Sequence, residues 1–217
     1  MQRYPMPVIG VAILLAALAG FVDALAYASL GGFFASFMSG NTTRIGVSLG
    51  TSEYRDAVIA GSLILSFLSG VVLSSVINHA WPRWKGVSVM VAVTLLLAAA
   101  AVTDWLGPRP VALLFLAAAM GAENGVFAFG GHIRINITYM TGTLVRFGQK
   151  LGCALMGVGG RWEWLRDLLL WVGFFCGVLG GSFTFTDYGE WAFWAAPAAA
   201  AVLTLIIALL PRRHFQE

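Results

Sequence analysis

The chain has 217 residues, 59% of them hydrophobic and only 11% charged, with a formal net charge of +3. A mean hydropathy of +0.83 excludes an ordinary soluble domain and places the chain among polytopic membrane proteins, with a length that suits one transmembrane domain over 1–217. The positive charge is spread over loops and tail, so nucleic acid is not an expected partner. Cys153 and Cys176 are too few for a disulfide framework, and the three histidines show no metal-ligand spacing, so neither metal nor cofactor is expected.

The first apolar run, Val8 to Leu30, is long enough to cross a bilayer and reads as a retained span, because no A-x-A cleavage site follows it. Asp23 lies past its midpoint, and Gly31-Gly32 ends it. Phe33 to Met38 follows as strand or apolar coil, and then the chain turns abruptly polar through Ser39-Gly40-Asn41-Thr42-Thr43-Arg44. A third segment, about Tyr54 to Ile77, is expected to be capped by Thr51 or Ser52. Its Ser62, Ser66, Gly70 and Ser74 recur every fourth residue and allow close helix packing. Beyond an interfacial Trp81–Lys85 loop, the fourth segment, Val87 to Trp105, is almost purely apolar and is expected to face lipid. Gly107-Pro108-Arg109-Pro110 joins the two halves.

The fifth segment, Val111 to Gly130, carries Glu123 and Asn124. Ile133 to Tyr139 then alternates strictly and is rich in β-branched residues, which predicts a strand, with Arg134 on its polar side. A helix starting near Thr143 is expected to run to about Gly157. The seventh segment, Leu165 to Phe183, has a Gly173, Gly177, Gly181 stripe, and the eighth runs from Trp191 to Leu210. Most tryptophans fall at segment ends, as aromatic belts do.

One element occurs twice. Met38-Ser39-Gly40-Asn41-Thr42-Thr43-Arg44-Ile45-Gly46 aligns without a gap with Met140-Thr141-Gly142-Thr143-Leu144-Val145-Arg146-Phe147-Gly148. Upstream, Gly20-Phe21-Val22-Asp23 answers Gly121-Ala122-Glu123-Asn124; downstream, Arg55-Asp56 answers Arg166-Asp167. The fold class is therefore an all-α polytopic membrane protein of two homologous repeats, about 8–106 and 110–211. Each repeat is expected to hold a long helix, a short extended strand plus half-helix, and two further helices. Duplication with a broken segment in each half is the sequence pointer to a transporter site.

Asp23, Arg44, Glu123 and Arg146 are the ionisable groups placed most clearly inside apolar segments, where a charge is costly and usually paired or functional. Two readings follow: ion pairs Asp23–Arg44 and Glu123–Arg146 as internal glue, or a central site in which Asp23 couples transport to a proton or ion. The half-helices are expected to begin near Asn41 and Thr143. A helix start in mid-membrane presents free amides and partial positive charge, so Asn41, Thr42, Thr43, Thr141 and Thr143, with Asn124, are the candidate substrate-binding residues. The chain shows no HExxH, GxSxG or phosphate-cradling GK[ST] pattern, and an enzyme is not expected.

The runs Gly20–Ala24, Ser36–Gly46 and Tyr139–Thr143 resemble the YoaK-type family of small bacterial inner-membrane proteins. The resemblance covers nearly the whole chain and implies a multi-spanning protein of the bacterial inner membrane, of unassigned function. That family more often has Gln before the Asn equivalent to Asn124, where this chain has Glu123. The strand-then-half-helix pattern is also similar to the sulfate/uracil transporter fold, in which two half-helices face the substrate; that likeness concerns architecture alone.

The expected function is a secondary transporter of a small polar or anionic solute, with its site between the two broken segments. The alternative is a non-transporting structural or regulatory membrane protein. Expected partners are a small-molecule solute and membrane lipid, and a homodimer stays open. Six full spans with two re-entrant segments give inverted halves, and eight spans give parallel ones. Counts of flanking Lys and Arg are equal for the two, and both place the termini in the cytoplasm.

Overall fold

In an apolar run the backbone amides find partners only within their own segment, and the chain accordingly folds almost entirely as helix. The computed structural model describes residues 6–107, 109–129, 132–133, 138–158 and 160–210. Among these, the helices are α1 (Met6–Leu30), α2 (Met38–Gly50), α3 (Tyr54–Ala80), α4 (Val87–Leu106), α5 (Arg109–Glu123), α6 (Met140–Leu155), α7 (Trp164–Tyr188) and α8 (Ala192–Leu209). Five stretches are long and apolar enough to cross a membrane, the last of them, Trp164–Leu209, holding both α7 and α8. At 13 and 16 residues, α2 and α6 reach only about 20 and 24 Å, short of a hydrocarbon core of about 30 Å.

Helices distant in the chain pair: α1 lies against α7, and α3 against α5. Glycines permit both contacts. A Cβ on Gly177 would run into the carbonyl oxygen of Ala17, and one on Gly20 into that of Phe174. In the other pair, Gly70 faces the Ala118 carbonyl and Gly121 the Phe67 carbonyl. The contacts climb in step, Ile13 with Gly173, Ala17 with Gly177 and Phe21 with Gly181, so α1 and α7 run parallel. So do α3 and α5, where the Ser66 hydroxyl donates to Leu114 O at 2.6 Å and Asn78 Nδ2 donates to Gly125 O at 2.8 Å. The small-residue stripes are thus the packing faces that their spacing predicts.

The expectation that the fourth segment faces lipid holds for one face only: Val91, Leu95 and Val102 are exposed, whereas Met90, Val93, Leu97 and Ala100 are buried, because the other face of α4 packs on α5 and α8. Neither Thr51 nor Ser52 caps α3, whose first turn has no side-chain cap; Thr51 Oγ1 donates back into α2.

The expected extended pieces are also corrected. Residues 31–37 form no strand, because the Ala35 and Ser36 amides go to a carboxylate instead of a ladder. In the second half, Ala128–Phe129 (β1) and His132–Ile133 (β2) make a minimal antiparallel pair, with Ala128 opposite Ile133; a 3₁₀ turn, Asn124–Phe127, precedes it. Most of the predicted strand, including Arg134, lies outside the described residues. Both half-helices begin earlier than expected, at Met38 and Met140 instead of Asn41 and Thr143.

The path after α1 sets the site. Gly31 and Gly32 adopt φ of 71° and 99°, a region costly for other residues, and turn the chain back on itself. Ala35 and Ser36 return to the level of Asp23, seven residues before the end of α1 and roughly 10 Å along its axis. From there α2 runs outward again, so that Arg44 meets the carbonyls at the end of α1, donating to Gly31 O and Gly32 O at 2.9 Å each.

Candidate functional site

Asp23 is the post on which the first broken segment hangs. It is 4% exposed. Its Oδ1 accepts from the amides of Ala35 at 2.8 Å and Ser36 at 2.7 Å, and its Oδ2 accepts from the Ser36 hydroxyl at 2.6 Å. Three donors offset the cost of an anion removed from water. Asn41 fastens the other end of the loop: its Nδ2 donates to Phe34 O at 2.7 Å and its Oδ1 accepts from Phe34 N at 3.1 Å.

The second half repeats this construction with an amide in place of the acid. Asn124 Oδ1 accepts from the Thr138 hydroxyl at 3.2 Å, and its Nδ2 donates to Met120 O at 2.9 Å. Thr138 stands two residues before Met140, as Ser36 stands two before Met38. The third residue of each half-helix, Gly40 or Gly142, leaves room for the ring of the residue just before the helix, Phe37 or Tyr139. A side chain at either glycine would meet that ring.

Both broken segments open on one cavity of about 780 Å³. Asp23 and Tyr27 of α1 line it, with Ser36, Phe37 and the first residues of α2, Met38 and Ser39. From the other half come Asn124, Thr138, Tyr139 and the first residues of α6, Met140 and Thr141. Trp171, Phe174 and Ser182 of α7 and Phe67 of α3 complete much of the wall. The first amides of the two half-helices, Met38 N and Met140 N, donate to Ser36 O and Thr138 O at 3.1 Å each, and the amides that follow in the first turn have no partner within the helix.

Of the residues singled out in the sequence, Asp23, Asn124 and Thr141 line the cavity. The others do not. Asn41 is wholly buried and committed to Phe34. Thr42 and Thr43 are exposed on α2 and donate back to Met38 O and Ser39 O. Thr143 is wholly buried, donates to Tyr139 O and accepts from Arg146 Nη2 at 2.9 Å. These four assignments fail because each helix starts three residues earlier, which turns Ser39 and Thr141, not Asn41 and Thr143, toward the opening. Ser36, Ser39 and Thr138 were missed, although the repeat alignment marks Ser39 as the partner of Thr141.

The expected ion pairs are replaced by others. Arg44 pairs with Asp56 at 2.8 Å, not with Asp23, and lies over the Phe33 ring, 3.9 Å from its centroid. Arg146 pairs with Asp167 at 3.0 Å, not with Glu123, and Lys150 reaches the other oxygen of Asp167 at 2.5 Å. The reason is depth. Each arginine stands about two turns along its half-helix, at the level where the next long helix begins, whereas Asp23 and Glu123 lie inside. Asp56 and Asp167 are the acids that the motif alignment matches, Arg55-Asp56 with Arg166-Asp167, so this pairing was legible. Glu123 is wholly buried, and among the described residues neither carboxylate oxygen has a hydrogen-bond partner. Neither arginine lines the cavity.

Residues 11–206 match the family described as protein of unknown function (DUF1275). The UPF0700 transmembrane protein RA0705 of Rhizobium meliloti (strain 1021) is 33% identical over 200 residues, which is 90% of this chain and 84% of that protein. The UPF0700 transmembrane protein YoaK of Bacillus subtilis (strain 168) is 24% identical over 164 residues, covering 72% of this chain and 73% of that protein. The YoaK-type resemblance carried by the motifs is borne out. No solved structure matches the chain.

Proposed function

The chain belongs to this DUF1275 family of membrane proteins, and we propose that it is a secondary transporter of a small polar solute, working through a cavity between two inverted repeats. One observation carries the reading: the first residues of α2 and of α6 line the same cavity, together with a buried acid from one repeat and its amide counterpart from the other. Broken helices whose ends meet at mid-membrane are how such transporters build a site from an otherwise apolar bundle.

The path of the chain supports six full spans. After α1 the chain goes in only as far as Asp23 and comes out on the side where it entered, since Arg44 of α2 joins the end of α1 to Asp56 at the start of α3. The same pattern in the second half, with Arg146 joined to Asp167, leaves three spanning helices per repeat. An odd number inverts the second repeat relative to the first. Parallel packing of α1 on α7 and of α3 on α5 agrees with that arrangement. Both ends of the described chain then lie on one side. We assign that side to the cytoplasm of a bacterial inner membrane, where Arg83, Lys85 and Arg161 also fall.

Asp23 is the coupling group in this reading. Its carboxylate both lines the cavity and holds the Ala35-Ser36 turn, so its protonation changes the acceptor on which that turn hangs. A second reading, a structural membrane protein that transports nothing, draws on the internal satisfaction of Asn41 and Thr143. No catalytic role is proposed. Purified protein in proteoliposomes, assayed for flux with and without a pH gradient, separates the readings. Solute flux that Asp23→Asn makes insensitive to pH supports transport; no flux of any solute at any pH supports the structural protein.

A further inference from the structure

The cavity walls indicate which class of solute the site takes, an inference that rests on the transporter reading for its purpose but not for its chemistry. Aromatic rings dominate the lining from both sides: Tyr27, Phe34 and Phe37 from the first repeat, and Tyr139, Trp171 and Phe174 from the second. Several are held by other rings. Phe34 lies between Tyr27, 5.4 Å away, and Phe37, 5.3 Å away and edge-on; Trp171 is stacked on Phe175 at 5.6 Å with its plane only 2° off. Rings held in this way present fixed faces and lose little entropy when a ligand seats.

Charge completes the picture. Asp23 is the acid in the wall, and no Lys, Arg or His lines the cavity among the described residues. The Asp23 Oδ2 accepts only the Ser36 hydroxyl, which leaves that oxygen room for a second partner. An aromatic face is the negative side of its quadrupole and attracts a cation by about 0.5–2 kcal/mol per ring, most when water is excluded. An anion here meets a carboxylate and ring faces together. The two half-helix ends, about half a positive charge each, act on the polar groups of a solute, while Asp23 is the acid that its positive centre meets at the wall.

We infer that the cavity takes a small organic cation with an apolar body, an alkylated ammonium, whose positive centre sits beside Asp23 and the neighbouring rings of Tyr27 and Phe34, with the apolar body directed toward the rings of α7. The volume, about 780 Å³, falls within the usual range of small-molecule sites, about 300–1,000 Å³, and admits an ammonium with an aromatic or branched alkyl substituent.

The test is a charge series on one ring: benzyltrimethylammonium, benzyl alcohol and benzoate, titrated calorimetrically into the purified full chain in nanodiscs of uncharged lipid. The cation is expected to bind at least tenfold more tightly than the other two. Asp23→Asn should weaken it about tenfold while leaving benzyl alcohol unchanged, and, separately, Tyr27→Leu should weaken the cation about tenfold and benzyl alcohol by less. Benzoate binding as tightly as the cation, or cation binding unchanged in both variants, overturns the inference. The same three probes, preloaded into proteoliposomes, keep the two claims apart. Movement of benzoate or benzyl alcohol without the cation refutes the solute class and leaves transport standing. A cation that binds with the expected variant effects but never moves upholds the site and refutes transport.

Discussion

Asp23→Ala should cost far more than Asp23→Asn, and the difference measures what the carboxylate holds. Alanine strands three donors, the amides of Ala35 and Ser36 and the Ser36 hydroxyl, at a nearly buried position in the cavity wall. An unsatisfied buried donor costs about 1–3 kcal/mol, so the sum is roughly 3–9 kcal/mol against a total stability of about 5–15 kcal/mol for a typical domain. Asparagine keeps an acceptor for the two amides, and its Nδ2 can donate to the Ser36 oxygen. Each bond weakens by about 1 kcal/mol on losing the charge, and the amide avoids burying an anion, so the net loss is about 1–3 kcal/mol. The second half of the chain already shows an amide in such a role, since Asn124 accepts from Thr138 before α6. Heating in detergent followed by size-exclusion chromatography should show Asp23→Asn as a monodisperse protein with Tm lowered by roughly 3–10 °C. Asp23→Ala should be poorly expressed or aggregated. Equal stability of the two variants would refute the clamp. Adding Arg44→Gln to Asp23→Asn should rescue nothing, because Arg44 answers to Asp56; a rescue would restore the Asp23–Arg44 pair.

Three further outcomes follow from the packing and the path of the chain. Gly177→Leu should separate α7 from α1 and abolish a folded peak in detergent, since even a Cβ there meets the Ala17 carbonyl, whereas Gly46→Ala, which points into open space, should leave Tm unchanged. Asp167→Asn should destabilise more than Asp56→Asn: it leaves Arg146 and Lys150 together without their acid at a nearly buried carboxylate, 6% exposed, while the Arg44–Asp56 pair is 30% exposed on both sides and, like most exposed pairs, worth about 0–1 kcal/mol. Thermal denaturation of the two variants side by side checks the order. Single cysteines at Glu53 and Arg83, which flank the spanning α3, in a cysteine-free background should label from opposite sides of the membrane, Glu53 from outside and Arg83 only from the cytoplasm; Arg83 labelled from outside with Glu53 protected would rule out the re-entrant path and with it the inverted repeats.

Much of this was legible in the chain itself, because it depends on local composition and on the repeat. Apolar runs fix where long helices form, since a backbone away from water must satisfy itself. Gly20, Gly70, Gly121 and Gly177 could be recognised as packing positions because small residues at helical spacing have few other uses in a membrane. The alignment of Met38–Gly46 with Met140–Gly148 marked the two segments that meet at the cavity, and the matched Asp56 and Asp167 carried the true ion pairs. Only the tertiary structure decided how the chain passes through those segments. Whether residues 33–37 are strand or coil rests on a carboxylate twelve positions away in the chain claiming the amides of Ala35 and Ser36, which no local propensity encodes. The same return path puts Arg44 at the level of Asp56 and away from Asp23. It moves each helix start by three residues, and nearly a full turn exchanges Asn41 and Thr143 for Ser39 and Thr141 at the opening. Nearness in sequence suggested Asp23–Arg44; depth in the bundle, set by the fold-back at Gly31-Gly32, overruled it.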